Sequence, residues 1–171
     1  SFSNIQGNAM TLNFTQGNGL TRMLVAKAGS PVDVWPVDFT GYTANSNFGS
    51  GSDLGGGNFV VGSTNNNFFN VYNLLPNSVY HFAIVEYNGS GSTAFYQLPA
   101  IVATASQSTL TSPTIPTSNF FANNIIGNSM QLTWTRGNGA GRLIIAKAGS
   151  PVDVTPSDLS SPFASSVFGS G

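Results

Sequence analysis

The segment TQGNGLTRMLVAKAGSPVDV at residues 15–34 is repeated, with few changes, as TRGNGAGRLIIAKAGSPVDV at residues 135–154. An offset of 120 residues aligns the two copies without a gap, so that FGSG at 48–51 meets FGSG at 168–171, and more than half of the aligned positions are identical. This period is much longer than that of most solenoid repeats and favours an array of whole domains. We therefore expect each copy to form its own hydrophobic core.

The composition is that of a folded chain with few charges. Of the 171 residues 6% are charged, and the formal net charge is −1. Leu, Ile, Val and Phe make up about a quarter of the chain, above the level of roughly 20% below which disorder is expected. Nucleic-acid binding requires a dense Lys/Arg surface, and the chain has five such residues, so we expect no nucleic-acid partner.

Cysteine is absent and histidine occurs once, so we predict no disulfide framework, no thiolate metal site and no cofactor. No apolar run is long enough to cross a bilayer, and we expect no membrane insertion. The first residues, SFSNIQGNAM, lack the basic and apolar regions of a signal peptide. We therefore expect any export signal to lie outside residues 1–171.

The local patterns are those of β-strands. MTLNFTQ at 10–16 alternates apolar and polar residues, TRMLVAKAG at 21–29 is a more continuous apolar run, and QGNG between them indicates a turn. We therefore predict a hairpin over residues 10–29. Because no window carries a 3.6-residue apolar period with caps, we predict an all-β fold.

Further strands are predicted later in the first copy. FFNVYNL at 68–74 and VYHFAIVEYN at 79–88 indicate a second strand pair around LPNS, and AIVATAS at 100–106 indicates a last strand. The following stretch, TASQSTLTSPTIPTSNF, is rich in Ser, Thr and Pro, as linkers are. We predict a module over 1–106, a linker or first strand of the next module over 107–119, and a truncated second module over 120–171.

The stretch NLLPNSVYHFAIVEYNGSG resembles the fibronectin type III family, in which a Leu, a Pro and a Tyr at the spacing of Leu74, Pro76 and Tyr80 open the penultimate strand. That spacing produces a tyrosine corner, whose phenol packs inward while its hydroxyl bonds a backbone group at the turn between sheets. The core tryptophan of the family matches Trp134, and Phe14 replaces it in the first copy. The resemblance implies an immunoglobulin-like antiparallel β-sandwich, one near-complete module followed by the first half of a second.

The resemblance extends to a variant of the family. The phrases AKAGSPVD, FGSG, GNFVV and VEYNGSG are similar to those of modules in large secreted surface proteins of the Bacteroidetes group. Such modules serve as stalks, adhesin repeats or spacers attached to enzymes. The chain departs from the common family in the long segment 36–67, which is full of Gly and Asn. We expect the Gly-rich pieces GSGSDLGGGNF at 49–59 and NGSGS at 88–92 to be flexible turns at the ends of the sandwich, which is where binding sites on such folds usually lie.

Four charged residues recur in the second copy: Arg22, Lys27, Asp33 and Asp38 as Arg142, Lys147, Asp153 and Asp158. One interpretation is ion pairing and turn capping within each module. The other is a calcium site using Asp33, Asp38 and Asp53, although calcium needs six to eight oxygens. His81 is interpreted as a structural or exposed residue, because no nucleophile can be placed beside it, and we expect no catalysis.

Two function classes remain open. The first is a non-catalytic repeat of a large extracellular surface protein, a stalk or adhesin making weak multivalent contacts with neighbouring modules, surface glycans or other proteins. The second is a spacer or carbohydrate-binding region of a secreted glycoside hydrolase or peptidase. Four aromatic residues are candidates for ligand contact, although packing under a long loop is the alternative: Trp35, Tyr42, Phe95 and Tyr96.

The second copy has no counterpart of FFNVYNLLPNSVYHFAIVEYN. Half a sandwich leaves an apolar sheet face and open strand edges in water. We therefore expect that the natural chain continues beyond Gly171 or that another protein covers this half.

Overall fold

The chain divides into two compact units, Ser1–Ser112 and Pro113–Gly171. The computed structural model describes residues 1–97, 102–157, 160 and 162–171. These residues form ten strands and one short 3-10 helix, Gly91–Thr93, so the prediction of an all-β fold is confirmed. The strands are β1 (Phe2–Ser3), β2 (Met10–Asn13), β3 (Thr21–Ala28), β4 (Phe59–Thr64), β5 (Phe68–Val71), β6 (Val79–Asn88), β7 (Phe95–Tyr96), β8 (Ala103–Ser108), β9 (Ser118–Ile126) and β10 (Ser129–Thr135).

The first unit consists of two antiparallel sheets in a sandwich-like arrangement. One sheet has the strand order β1-β2-β5. The other has the order β4-β3-β6, and β6 also pairs with β7 and with β8. Side chains from both sheets meet in a core: Met10, Leu12, Leu24, Ala26, Val61, Val71, Leu74, Tyr80 and Phe82. This packing is what the alternating pattern of β2 and β6 requires, because every second side chain faces the other sheet.

The two predicted hairpins are wrong, since their strands belong to different sheets. β2 pairs with β1 and β5, whereas β3 pairs with β4 and β6. Likewise β5 lies in the first sheet and β6 in the second. The connection between β2 and β3 is held by Glu86 on β6, whose carboxylate accepts the N–H groups of Gly17 and Gly19 at 2.8 and 3.0 Å. A partner so distant in sequence leaves no local signal for the crossover.

A second apolar cluster lies on the outer face of the β3–β6 sheet. It contains Met23, Val25, Val32, Val60, Ala83, Val85, Ala94 and Tyr96, and Trp35, Tyr42 and Leu54 pack against it. The segment between β3 and β4 therefore covers this face as a packed layer. The Gly-rich part of that segment differs from the expected flexible turns, because Asn58 is fully buried and the Leu54 N–H donates to Asn58 O at 2.9 Å. Burial on both faces explains the continuous apolar run of β3.

The second unit repeats the local geometry of the first. β9 pairs with β10 so that Ala122 faces Leu132, which is the counterpart of Phe2 facing Leu12. The strand β9 begins at Ser118, inside the segment predicted as a linker or first strand. The predicted last strand of the first copy corresponds to β8, and its first two positions, 100 and 101, lie outside the described residues.

The counterpart of β3 in the second unit, residues 141–148, does not form a strand. Its sequence is nearly that of β3, so propensity does not account for the difference. In the first unit β3 is hydrogen-bonded to β4 on one side and to β6 on the other. The described residues of the second unit contain no counterpart of either strand, and a strand without partners has unpaired backbone groups.

Candidate functional site

A surface of the first unit is built where the loop after β3 meets β7. Three hydrogen bonds hold the two segments together: Phe39 N–H donates to Ala94 O at 2.7 Å, Tyr96 N–H to Asp38 Oδ1 at 2.8 Å, and Tyr96 Oη–H to Thr40 O at 2.9 Å. Two of these bonds use groups of a buried tyrosine, and the third uses a short backbone contact. These hydrogen bonds therefore fix the backbone of residues 38–40 against that of residues 94–96, and the surface formed by the two segments is held in place from both sides.

The rings of Phe39 and Phe95 form the exposed part of this surface, which we call the Phe39/Phe95 patch. Their centroids are 6.0 Å apart, the ring planes are inclined by 59°, and the residues are 63% and 58% exposed. Phe39 has a φ of +64°, a conformation that is uncommon for a bulky residue and costs of the order of 1 kcal/mol or more. The surrounding hydrogen bonds therefore hold the Phe39 side chain exposed to solvent, although its backbone conformation is unfavourable.

A cleft of approximately 270 Å³ lies beside Phe95. Its walls carry the amide side chains of Asn18, Asn88 and Gln97 together with Tyr87 and Gly19. Amides can both donate and accept hydrogen bonds, whereas the Phe95 ring offers an apolar face. Glu86 and Tyr96 also line the cleft, which therefore combines an aromatic platform with amide groups and one carboxylate.

Burial raises the pKa of Tyr96 to about 12, and the neighbouring Tyr87, Tyr42 and Asp38 add to the effect. Tyr96 stays protonated at neutral pH, so its hydroxyl remains a donor to Thr40 O. Tyr96, whose hydrogen bonds to Asp38 and Thr40 hold the loop that carries Phe39, is thus a neutral hydrogen-bond donor and takes no part in proton transfer at neutral pH.

The four aromatic residues that were predicted to contact a ligand differ in their burial. Trp35 and Tyr42 are partly buried against the second apolar cluster, and Tyr96 is buried within it. These three pack under the long loop, which was the alternative interpretation, and Phe95 alone is exposed. Phe39 was missed by sequence reasoning. The signal was its position in DFTGY, where an aromatic residue stands inside a turn sequence.

The three aspartates of the calcium hypothesis have separate partners. Asp33 accepts from Lys27 Nζ at 2.6 Å, Asp38 accepts from Tyr96 N–H, and Asp53 accepts from Gly55 N–H at 2.8 Å. In the parts of the chain that the structure describes, no three His, Cys, Asp or Glu residues are grouped so that they could hold a metal ion. The structure thus does not bring these carboxylates together.

The ion-pair interpretation is confirmed in both copies for the lysine and the first aspartate. Lys27 binds Asp33 and Lys147 binds Asp153, each at 2.6 Å. The hydrogen bond from Lys27, followed by that from Asn58, lowers the pKa of Asp33. Asp158 lies outside the described residues.

The four residues predicted to be structural differ in their burial. Tyr80 is 1% exposed, and its hydroxyl accepts the Leu75 N–H at 2.9 Å. Phe14 packs against the core between the sheets, Pro76 is exposed, and Trp134 is partly buried in the second unit. His81 faces Lys27 on β3 and Ser106 on β8 in the strand register.

Comparisons with protein-family models, curated proteins and solved structures find no match for this chain. The structure alone therefore defines the class of protein: an all-β protein whose first unit is sandwich-like and exposes an aromatic patch. In the described residues no helix has the length and apolar character needed to cross a membrane.

Proposed function

We propose that this protein is a non-catalytic repeat region of a large extracellular surface protein, a stalk or adhesin whose modules make weak multivalent contacts. The observation that carries the proposal is the repetition of local geometry at the period of the sequence repeat. Asn4 and Asn124 share a φ near +48°, at 48° and 47°, and the Lys–Asp pair recurs at the same distance. A chain that repeats its structural contacts and holds few charges is suited to supplying many equivalent surfaces.

The proposal includes membership of the fibronectin type III family for Ser1–Ser112. Two features support it: the sheets have the orders β1-β2-β5 and β4-β3-β6-β8, and the Tyr80 hydroxyl bonds the backbone just before β6. A tyrosine corner at the start of the penultimate strand is a hallmark of such sandwiches. The Bacteroidetes origin rests on the sequence resemblance alone.

The test is the dependence of surface attachment on copy number. Chains carrying one, two and four copies of residues 1–112 are measured for retention on immobilised polysaccharides and on bacterial cell-surface material. We expect retention to rise much more steeply than in proportion to copy number, because linked weak sites act at a high effective concentration. Retention that scales only linearly, or turnover of a glycan or peptide substrate by a single copy, would contradict the proposal.

A second candidate function is carbohydrate binding as an accessory region of a secreted glycoside hydrolase or peptidase. It is favoured by the Phe39/Phe95 patch beside an amide-lined cleft, because sugar rings present C–H faces to aromatic rings and hydroxyls to amides. Isothermal titration against a glycan panel should give micromolar to millimolar binding that Phe95→Ala abolishes. Leu75→Ala is the matched control, since Leu75 is 68% exposed and lies in the loop before β6. Absence of heat with every glycan would remove this candidate.

A further inference from the structure

Four side chains form a square on one face of the antiparallel pair β6 and β7. Asn88 is the register partner of Phe95. One pair further along, the Gln97 N–H donates to Glu86 O at 2.8 Å, so Gln97 lies opposite Glu86. Residues two positions apart on a strand share a face and are about 7 Å apart, and opposite residues have Cβ atoms about 5 Å apart. All four residues line the cleft beside Phe95, so the square is one of its walls.

Two of these side chains have amide oxygens that are already bonded. Asn88 Oδ1 accepts the Leu20 N–H at 2.9 Å, and Gln97 Oε1 accepts the Glu86 N–H at 3.4 Å. A backbone N–H can bond only to the oxygen end of an amide, so these contacts fix the orientation of both side chains. Within the described part of the chain, neither NH2 group donates to a protein acceptor. At these two positions the cleft therefore offers a ligand hydrogen-bond donors.

The third polar side chain of the square supplies acceptor atoms. The Glu86 carboxylate accepts from Arg22 Nε and Gly17 N–H through Oε1, and from Gly19 N–H through Oε2. A carboxylate oxygen can accept more than one hydrogen bond, so Oε2 can take a further donor. Among the described residues that line the cleft there is no lysine, arginine or histidine. A ligand at this wall therefore meets one carboxylate with capacity for a donor, and no cation.

We propose that the cleft binds the acetamido group of an N-acetylated sugar. The carbonyl oxygen of that group accepts from the NH2 groups of Asn88 and Gln97, and its N–H donates to the Glu86 carboxylate. Its methyl group contacts the ring of Phe95, which is 58% exposed. The inference rests on the carbohydrate-binding candidate proposed above and names the class of sugar that the cleft takes.

The square distinguishes the acetamido group from a hydroxyl and from a carboxylate. A hydroxyl is too short to meet the donors, the acceptor and the aromatic ring together, and a site built for a larger hydrogen-bonding group discriminates against a ligand that lacks it. A carboxylate would accept from both amides but would stand beside the Glu86 carboxylate with no cation to compensate the repulsion. The cleft should therefore prefer an N-acetylated sugar to an unsubstituted sugar and to a uronate.

The test compares three tetrasaccharides that share one linkage and differ in their substituents: N-acetylglucosamine, glucose and glucuronate. Isothermal titration of the full chain measures the affinity for each. We expect the N-acetylglucosamine tetramer to bind roughly tenfold more tightly than the glucose tetramer, and the glucuronate tetramer to bind no more tightly than the glucose tetramer. In saturation-transfer NMR the acetyl methyl protons should give the strongest ligand signal, because they contact an aromatic ring, and Phe95→Ala should remove that signal.

Two isosteric substitutions test the amide donors. Asn88→Asp and Gln97→Glu each keep an oxygen for the backbone N–H and lose the NH2 group. We expect each to weaken binding of the N-acetylglucosamine tetramer roughly tenfold and to remove most of its preference over the glucose tetramer. Asn66→Asp is the matched control, since it adds the same charge at an exposed residue outside the cleft, and the affinity should not change. An equal loss in the control would assign the effect to charge and would contradict the role of the amides.

The outcomes separate this inference from the carbohydrate-binding candidate on which it rests. Equal affinity for the N-acetylglucosamine and glucose tetramers, with both lost in Phe95→Ala, would overturn the acetamido assignment and leave carbohydrate binding at the cleft intact. Tightest binding of the glucuronate tetramer would overturn the assignment as well. Absence of heat and of saturation transfer with all three tetramers would remove both the assignment and the candidate function.

Discussion

Tyr80 on β6 is bonded through its hydroxyl to the connection between β5 and β6, which joins the two sheets of the first unit. Its ring lies in the core and makes an edge contact with Phe48 at a centroid distance of 5.0 Å, and its hydroxyl accepts from Leu75 N–H. Tyr80→Phe keeps the ring and leaves the amide without its acceptor, so we expect a loss of about 1–2 kcal/mol in the free energy of unfolding. Urea denaturation measures it.

The matched control is Tyr87→Phe, since the Tyr87 hydroxyl meets Ser63 Oγ at 2.8 Å in an exposed position. We expect that change to cost less than about 0.5 kcal/mol, because water can replace the lost partner. Equal losses in the two variants would show that the Tyr80 hydroxyl has no special role.

The pKa of Tyr96 makes a prediction about alkaline stability. The folded pKa of about 12 lies above the ordinary value of 10.0, so the unfolded chain loses this proton first. The stabilisation is complete below about pH 10 and is lost as the pH rises toward 12. Tyr96→Phe should be slightly less stable at pH 8 but should show a smaller decline between pH 10 and 12. Parallel pH profiles for the two proteins, from urea titrations, would contradict this assignment.

At the scale of single residues, sequence reasoning succeeded where partners are close along the chain. Tyr80 and Leu75 are five positions apart, and Lys27 and Asp33 are six apart, so their spacing is visible in the sequence. The contact between the tilted rings of Phe39 and Phe95 joins a loop to β7, and the two are distant in sequence. Only the folded β3–β6 sheet brings these segments together.

At the scale of elements, β3 and residues 141–148 show that pairing determines the conformation of this sequence. Both segments have nearly the same apolar sequence, but only β3 is hydrogen-bonded between two strands. Hydrogen exchange should therefore be slow for residues 22–27, with opening energies near the global stability, and close to that of an unfolded chain for 142–147. Comparable protection in the two segments would show that the second copy forms its own sheet.

The loop over the outer face of the β3–β6 sheet can be tested at Gly51. A Cβ atom there would lie 2.0 Å from Val60 O, so Gly51→Ala must separate the loop from β4. We expect a loss of roughly 2–3 kcal/mol in the free energy of unfolding, because the clash is with backbone. Gly7→Ala is the control, since its Cβ atom meets nothing closer than Pro76 Cγ at 3.6 Å. A neutral Gly51→Ala would mean that the loop is a loose covering.

At the scale of the whole molecule, the strand patterns predicted the all-β class. They did not predict which strands share a sheet, because alternation defines the faces of a strand and not its neighbours. The connection between β2 and β3 is bonded to Glu86, whose partners Gly17 and Gly19 are 69 and 67 positions away in the sequence. The second apolar cluster was also missed, since a segment rich in Gly and Asn resembles a solvated loop by composition.

The two units should differ in cooperativity. Ser1–Ser112 contains two apolar clusters and most of the described strands, whereas the apolar residues of 142–145 in the second unit remain exposed. A chain of residues 1–112 should therefore unfold in urea with the same midpoint and slope as the full chain, because the slope follows the surface exposed in a cooperative transition. Calorimetry should likewise show one transition of the same enthalpy in both. A lower midpoint for the shorter chain would mean that residues 113–171 stabilise the first unit, and a second transition in the full chain would mean that they have a core of their own.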